Sequence, residues 1–134
     1  MVKSLIYGIG NDVLETDRIA RIMEGAHRAR FLSRVLTEEE RAILSERTQS
    51  EVQYVSGRFA AKEAISKAFG CGIGELLGFQ DIEILPNKLG KPTAAISEPA
   101  RKRLGLSGEY SYMVHISISH QPSVAAAFAI VERM

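Results

Sequence analysis

Two carboxylates and a lysine are the residues in this chain whose types and spacing could do chemistry. Asp12 follows Gly8-Ile9-Gly10 at the end of an apolar run, a place where a carboxylate can be held rigidly beside backbone that approaches a ligand closely. The same position also suits an ordinary turn-forming or helix-capping Asp. Glu63 precedes Lys67 by four residues, so on a helix the two project from one face. They read either as a solvated ion pair or as a metal carboxylate with a lysine beside it. Two carboxylates suffice for Mg2+ when substrate phosphates supply further oxygens, and the lysine would then meet a departing phosphate.

Other candidates are more ambiguous. Gly70, Gly72 and Gly74 make a glycine-dense stretch that lacks the Lys-Ser/Thr ending of a P-loop and precedes a strand pattern, so neither that motif nor a dinucleotide fingerprint is present. The glycines can simply end a helix and turn the chain. His120 lies at a strand end beside Pro122, where it reads as a turn residue or as a ligand, and His115 in mid-strand reads as structural. Between Arg18 and Arg34 stand Arg18, Arg21, Arg28, Arg30 and Arg34 with Glu24 as the one acid. Met23 and Phe31 are interleaved with them, which makes this cationic stretch either a solvated surface or a docking patch for an acidic partner.

Positioning these residues requires strands and helices. Val2 to Ile9 predicts a strand that stops in a tight turn at Gly8-Ile9-Gly10. Thr16 or Asp17 caps a short helix with Ile19, Ile22 and Met23 at helical spacing and Gly25 as its stop. Thr37 with Glu40 is a capping-box signature for a helix that turns Ile43 and Leu44 inward. Glu51 to Phe69 predicts the long central helix, with Val52, Val55, Phe59 and Ile65 toward the core and Gly70 as the stop. Phe79 to Leu85 alternates like a half-buried strand and makes a hairpin with Thr93 to Ile96 across the Pro86 to Pro92 turn. Ser97-Glu98-Pro99 opens a helix ending near Gly105, and Leu106 to Tyr110 is a polar connection. Met113 to Ser119 and Val124 to Val131 form a second hairpin, with Val114, Ile116 and Ile118 on one face of its first strand. This mixed order argues for an α+β fold.

Composition sets the outer bounds. With 134 residues, 46% hydrophobic and 25% charged, a single domain over 1–134 with its own core is expected, burying roughly two thirds of its unfolded surface. Lone Cys71 cannot form an internal disulfide, which fits a reducing compartment and favours the cytoplasm. No stretch is long and apolar enough for a membrane span, and the first residues are too short for a secretory segment. A net charge of +1 gives no general case for a nucleic-acid binder.

The separate signals also form a pattern. Gly8-Ile9-Gly10-Asn11-Asp12-Val13, Gly57-Arg58-Phe59-Ala60-Ala61-Lys62-Glu63-Ala64, Phe69-Gly70-Cys71-Gly72-Ile73-Gly74 and His115-Ile116-Ser117-Ile118-Ser119-His120 resemble, in order and separation, the signature blocks of bacterial holo-acyl-carrier-protein synthases. Phe79-Gln80-Asp81-Ile82-Glu83-Ile84 and Gly90-Lys91-Pro92 resemble further segments of that family of small trimeric phosphopantetheinyl transferases. The resemblance implies a mostly antiparallel sheet packed on the long central helix. It implies transfer of phosphopantetheine from coenzyme A to a serine of apo-acyl carrier protein, in support of fatty acid biosynthesis. By the same resemblance Asp12 and Glu63 bind Mg2+ with the diphosphate of coenzyme A, and Lys67 stabilises the leaving phosphate. The base is Glu63 or a metal-held water. Arg58 and His120 match residues that hold the 3'-phosphate end, and the loop with Gly70 and Gly72 approaches the nucleotide. The family's homotrimers place sites between adjacent subunits, and Arg18, Arg21, Met23, Arg28, Arg30, Phe31 and Arg34 fall where the acidic helix of the carrier docks. Asn11 departs from the pattern, in which an apolar residue commonly precedes the Asp. Two other functions fit parts of the sequence: a broader transferase of secondary metabolism, for which the chain is half the usual length, and a non-catalytic protein using its arginines to grip RNA or an acidic partner.

Overall fold

Small side chains let a helix be approached closely from more than one side, and helix α4 (Glu51–Ala68) carries Ala60, Ala61 and Ala64 fully buried beside Val55 and Ile65. It is the axis of the fold. The computed structural model describes residues 3–47, 50–106 and 108–134. Val2, at the expected start of the first strand, and Ser107, in the expected connection, lie outside them. Around α4 pack strand β1 (Leu5–Glu15), helices α1 (Thr16–Glu24), α2 (Arg28–Val35) and α3 (Glu38–Glu46), the hairpin β2 (Ile82–Pro86) and β3 (Pro92–Ile96), helix α5 (Glu98–Arg103), and strands β4 (Tyr112–His120) and β5 (Val124–Arg133). The long strands form an antiparallel sheet in the order β1-β5-β4, and β2 pairs antiparallel with β3. This is the α+β arrangement read from the sequence.

One face of the larger sheet closes on α4 through Leu14, Ala125, Ala127, Ala129 and Val131, all buried. Its other face is open and apolar. Ile9 is 69% exposed, and Val13, Phe128, Ile130 and Met113 are exposed with it.

Local signals are realised where they were strong. Thr37 and Glu40 form both bonds of the capping box, and Ser97 caps α5 by accepting from the backbone N–H of Ala100. Three elements differ from expectation. Strand β1 does not stop at Gly8-Ile9-Gly10 but runs through it to Glu15, paired with β5 throughout apart from a register shift between Ile6 and Gly8. The glycines are there for closeness: a methyl on Gly10 would stand 2.8 Å from the Ala68 nitrogen and 2.9 Å from the Lys67 Cβ, and one on Gly8 would strike the Ala68 carbonyl. The arginine stretch contains helix α2, which has no side-chain cap and was not among the expected elements. Phe79–Asp81 is a 3-10 turn, so the strand begins only at Ile82.

Behind the helix axis lies a buried ion pair. Lys62 Nζ donates to Glu40 Oε1 at 2.7 Å and to the carbonyls of Val35 and Phe79, and both charged side chains are fully buried. Burial lowers the proton affinity of Lys62, and the Glu40 carboxylate works against that by raising it.

Candidate active site

Close packing of β1 on α4 carries Asp12 to the helix face that bears Glu63 and Lys67. Lys67 Nζ donates to Asp12 Oδ1 at 3.1 Å and to the Asn11 carbonyl at 3.0 Å. The lysine therefore crosses to the strand; it does not form the solvated pair with Glu63 that spacing alone allowed. Glu63 feels its neighbours through its titration: burial first and then the Asp12 charge push its carboxyl above the usual range, opposed by Lys67 and Arg18. Two carboxylates and two cations from β1, α4 and α1 thus share one locality.

The donor set suits a hard divalent cation. Among the described residues no group of three or more His, Cys, Asp or Glu side chains is arranged to hold a metal, so the pair cannot form a closed protein cage. Two hard oxygen ligands whose mutual repulsion a cation would relieve, with open positions for phosphate and water, match the coordination habits of Mg2+. Immediately beyond Lys67 the chain turns on Gly70 and Gly72, at φ +83° and +68°. Both positions sit in the left-handed region that favours glycine, and the backbone N–H groups of Cys71 and Gly72 donate back to the Ser66 carbonyl. Among the described residues nothing lies within 4 Å of where a side chain would start at either glycine, so the loop presents bare backbone.

Arg58 and His120 meet at a second locus, a cleft of ≈330 Å3 that also includes Arg47 and Tyr54. The Arg58 guanidinium lies 4.6 Å and that of Arg47 5.1 Å from the Tyr54 ring centre. Among the described residues Arg58 Nε is buried with no hydrogen-bond partner, an orphan donor of the kind an anion satisfies. His120 Nε2 stands 3.0 Å from the Gln53 carbonyl, and its ring rests where a Gly57 side chain would be, 2.7 Å from the position of the missing Cβ. Sequence reasoning missed Arg47 and Tyr54. The four-residue step from Tyr54 to Arg58, which stacks them on one helix face, was the available signal. Five residues separate Arg58 from Glu63, a rotation of about 140° around an α-helix, so the Arg58 cleft and the carboxylates face different directions. A concavity of ≈390 Å3 between β3 and β4 contains none of the expected site residues.

The arginines divide. Arg30 and Arg34 line a groove of ≈220 Å3 with Ile22, His27 and Phe31, and Arg18 and Arg21 are exposed on α1. Arg28 is engaged within the chain, paired with Glu51 at 2.9 Å. Met23 corrects the expectation: it is 5% exposed and belongs to the core, because α1 turns its 16, 19 and 23 positions inward. Ile22 supplies the apolar contact of the groove in its place.

Comparison with known proteins identifies the family. The profile of the 4'-phosphopantetheinyl transferase superfamily matches residues 8–129. A holo-[acyl-carrier-protein] synthase of Bacillus subtilis strain 168 is 42% identical over 133 residues, covering 97% of this chain and 98% of its own. The crystal structure of the synthase of Neisseria meningitidis superposes with a TM-score of 0.83 at 35% identity, covering 95% of this chain and 98% of that one. That of Bacillus anthracis, in complex with CoA (3',5'-ADP), gives 0.78 at 38% identity over 95% and 96%. A family match over residues 8–129 together with 42% identity across nearly the full length leads to one conclusion: the chain belongs to the 4'-phosphopantetheinyl transferase superfamily.

Proposed function

We propose that this chain is a holo-acyl-carrier-protein synthase, transferring 4'-phosphopantetheine from coenzyme A to a serine of apo-acyl carrier protein and releasing adenosine 3',5'-bisphosphate. The relatives carry that activity in their names, and solved relatives hold coenzyme A. The observation that carries the proposal is the meeting of Asp12, Glu63 and Lys67, from positions far apart in the chain, beside a loop of bare backbone.

Asp12 and Glu63 are the ligands for Mg2+, which when bound neutralises the diphosphate and the charge that grows on the leaving bisphosphate. Lys67, held between Asp12 and the Asn11 carbonyl, keeps an N–H for the departing phosphate. Glu63, or a water that the metal would hold, accepts the proton of the attacking serine hydroxyl. The nucleophile belongs to the carrier, and in-line attack at the β-phosphorus breaks the diphosphate bond. Arg58 and His120 take the 3'-phosphate, and Gly70 and Gly72 let the loop approach the nucleotide.

Residues 1–134 act as one domain, and the working unit is a homotrimer. Two observations support that reading: the open sheet face carries Ile9, Val13, Phe128 and Ile130, an apolar area of the kind oligomers cover, and the anion cleft points away from the carboxylates of its own chain. Three copies would let the cleft of one subunit complete the site of the next. The groove between α1 and α2, with its arginines, receives the acidic helix of the carrier, and free Cys71 accords with a cytoplasmic setting. Support for fatty acid biosynthesis follows from the carrier. The test is to mix the protein with coenzyme A, Mg2+ and apo-acyl carrier protein and weigh the carrier. A gain of one phosphopantetheine arm is expected, and an unchanged carrier mass would refute the proposal.

A further inference from the structure

Lys62 is the neighbour of Glu63 on α4 yet faces into protein. Its ammonium spends all three N–H groups, on the Val35 carbonyl at 2.7 Å, Glu40 Oε1 at 2.7 Å and the Phe79 carbonyl at 3.0 Å. Glu40 accepts from the backbone N–H of Thr37 on Oε1 and of Ile84 on Oε2, each at 2.7 Å. One ion pair therefore joins the last turn of α2, the first turn of α3, the 3-10 turn and β2 to the catalytic helix. Burying two charges is a poor route to stability, because desolvation offsets most of their attraction and an apolar pair of equal volume serves as well. What the pair supplies that an apolar pair cannot is direction: each N–H fixes a carbonyl within a few tenths of an ångström.

The carbonyls it fixes matter to the groove. Val35 directly follows Arg34, and the Phe79 ring sits 5.8 Å from the Arg34 guanidinium and 5.3 Å from the Phe59 ring, which stacks in turn on Phe31. Gln80 and Arg41 also bond carbonyls at the end of α2, but neither lies on α4. Among the described residues, α4 bonds α2 at its first turn through the Glu51–Arg28 pair and at this last turn through Lys62 alone. We propose that the Lys62–Glu40 pair is a positioning device: it sets the orientation of α2 relative to the catalytic carboxylates, so that a carrier protein held by Arg30, Phe31 and Arg34 delivers its serine to them. The proposal rests on reading the α1–α2 groove as the carrier-docking surface.

The test compares wild type with Lys62→Met/Glu40→Gln, which removes both charges together, in steady-state assays with each substrate varied. The KM for carrier protein should rise by about fivefold or more, with the KM for coenzyme A and kcat within about twofold. Arg34→Ala, costly in the wild-type background, should cost at least about threefold less in the double variant, because an arginine already displaced has less to lose. Arg18→Ala, on a helix that Lys62 does not touch, should cost the same in both. An unchanged carrier KM, or Arg34→Ala effects that simply multiply, would overturn the proposal. Glu40→Asp, which keeps both charges but shortens the reach of the carboxylate, makes the same prediction at reduced size should the double variant not fold. Amide exchange supplies a readout independent of turnover: residues 28–35 should exchange faster in the variant while α4 is unaltered. Equal protection of α2 in both proteins would overturn the positioning role, whereas absent carrier loading by wild type would instead refute the proposed activity.

Discussion

Gly10→Ala is the substitution that most directly tests how the fold assembles the site. An added methyl would lie 2.8 Å from the Ala68 nitrogen and 2.9 Å from the Lys67 Cβ, and closer still to the Ala64 carbonyl oxygen. Ordinary contacts of this kind need about 3.5–4 Å, and two of the three obstacles are helix backbone that cannot rotate away. Strand β1 must then stand off from α4 by roughly 1 Å, an overpacking cost of about 1–3 kcal/mol. Asp12 lies two residues along the same strand, so the 3.1 Å bond from Lys67 is lost with it. Misplacement by about 1 Å costs on the order of 10²-fold in turnover. Thermal denaturation should show a Tm lower by roughly 4–12 °C, and the loading assay should show a kcat reduced about a hundredfold with far-UV circular dichroism unchanged. Wild-type kcat in Gly10→Ala would refute the claim that close strand-to-helix approach positions Asp12.

Three further outcomes follow from the same geometry. Because burial and the Asp12 charge raise the proton affinity of Glu63, its ionised form costs the metal-free fold stability at every pH above its raised pKa; Glu63→Gln should therefore melt higher than wild type in chelator at neutral pH while losing about 10²–10⁴-fold in turnover. A lower Tm would contradict the crowding of these carboxylates. Burial pushes the Asp81 carboxyl up, but bonds from the Gly78 N–H, Ser97 and Arg103 outweigh it and hold the group below the usual range. Its stabilisation is complete above the unfolded value and is lost as pH falls through the lowered one, so Asp81→Asn should cost about 1–2 kcal/mol at pH 7 and flatten the loss of stability in acid, as urea denaturation at several pH values would register. Arg58→Ala should raise the KM for coenzyme A by tenfold or more and leave that for dephospho-coenzyme A nearly unchanged, which steady-state kinetics with both substrates checks.

What the sequence revealed was local, and what it concealed was contact between distant segments. The Thr37 and Glu40 capping box, the Pro86 to Pro92 turn and the end of α4 at Gly70 each depend on a few neighbouring residues and were legible. Gly8 and Gly10 were misread as a turn because their reason, the backbone of α4, is more than fifty residues away in the chain. Lys62 looks like any lysine of a polar helix, and its burial depends on Glu40, Val35 and Phe79. Helix α2 has no side-chain cap, and its short apolar face of Phe31, Leu32 and Val35 spans too few residues to stand out among the arginines. Within the site, resemblance to a family named Asp12 and Glu63, but residue spacing alone left both as a turn former and half of a surface ion pair. Met23 shows the converse error, since an apolar residue among arginines reads as an exposed anchor until the phase of α1 is known.

Titration of Mn2+ into the protein with coenzyme A present, followed by the electron paramagnetic resonance of the free ion, bears most directly on the two-carboxylate site. Wild type should remove one ion per chain from solution, and Asp12→Asn and Glu63→Gln should each leave the ion free over the same range. Equal uptake by wild type and both variants would contradict the assignment of these side chains as the metal's ligands.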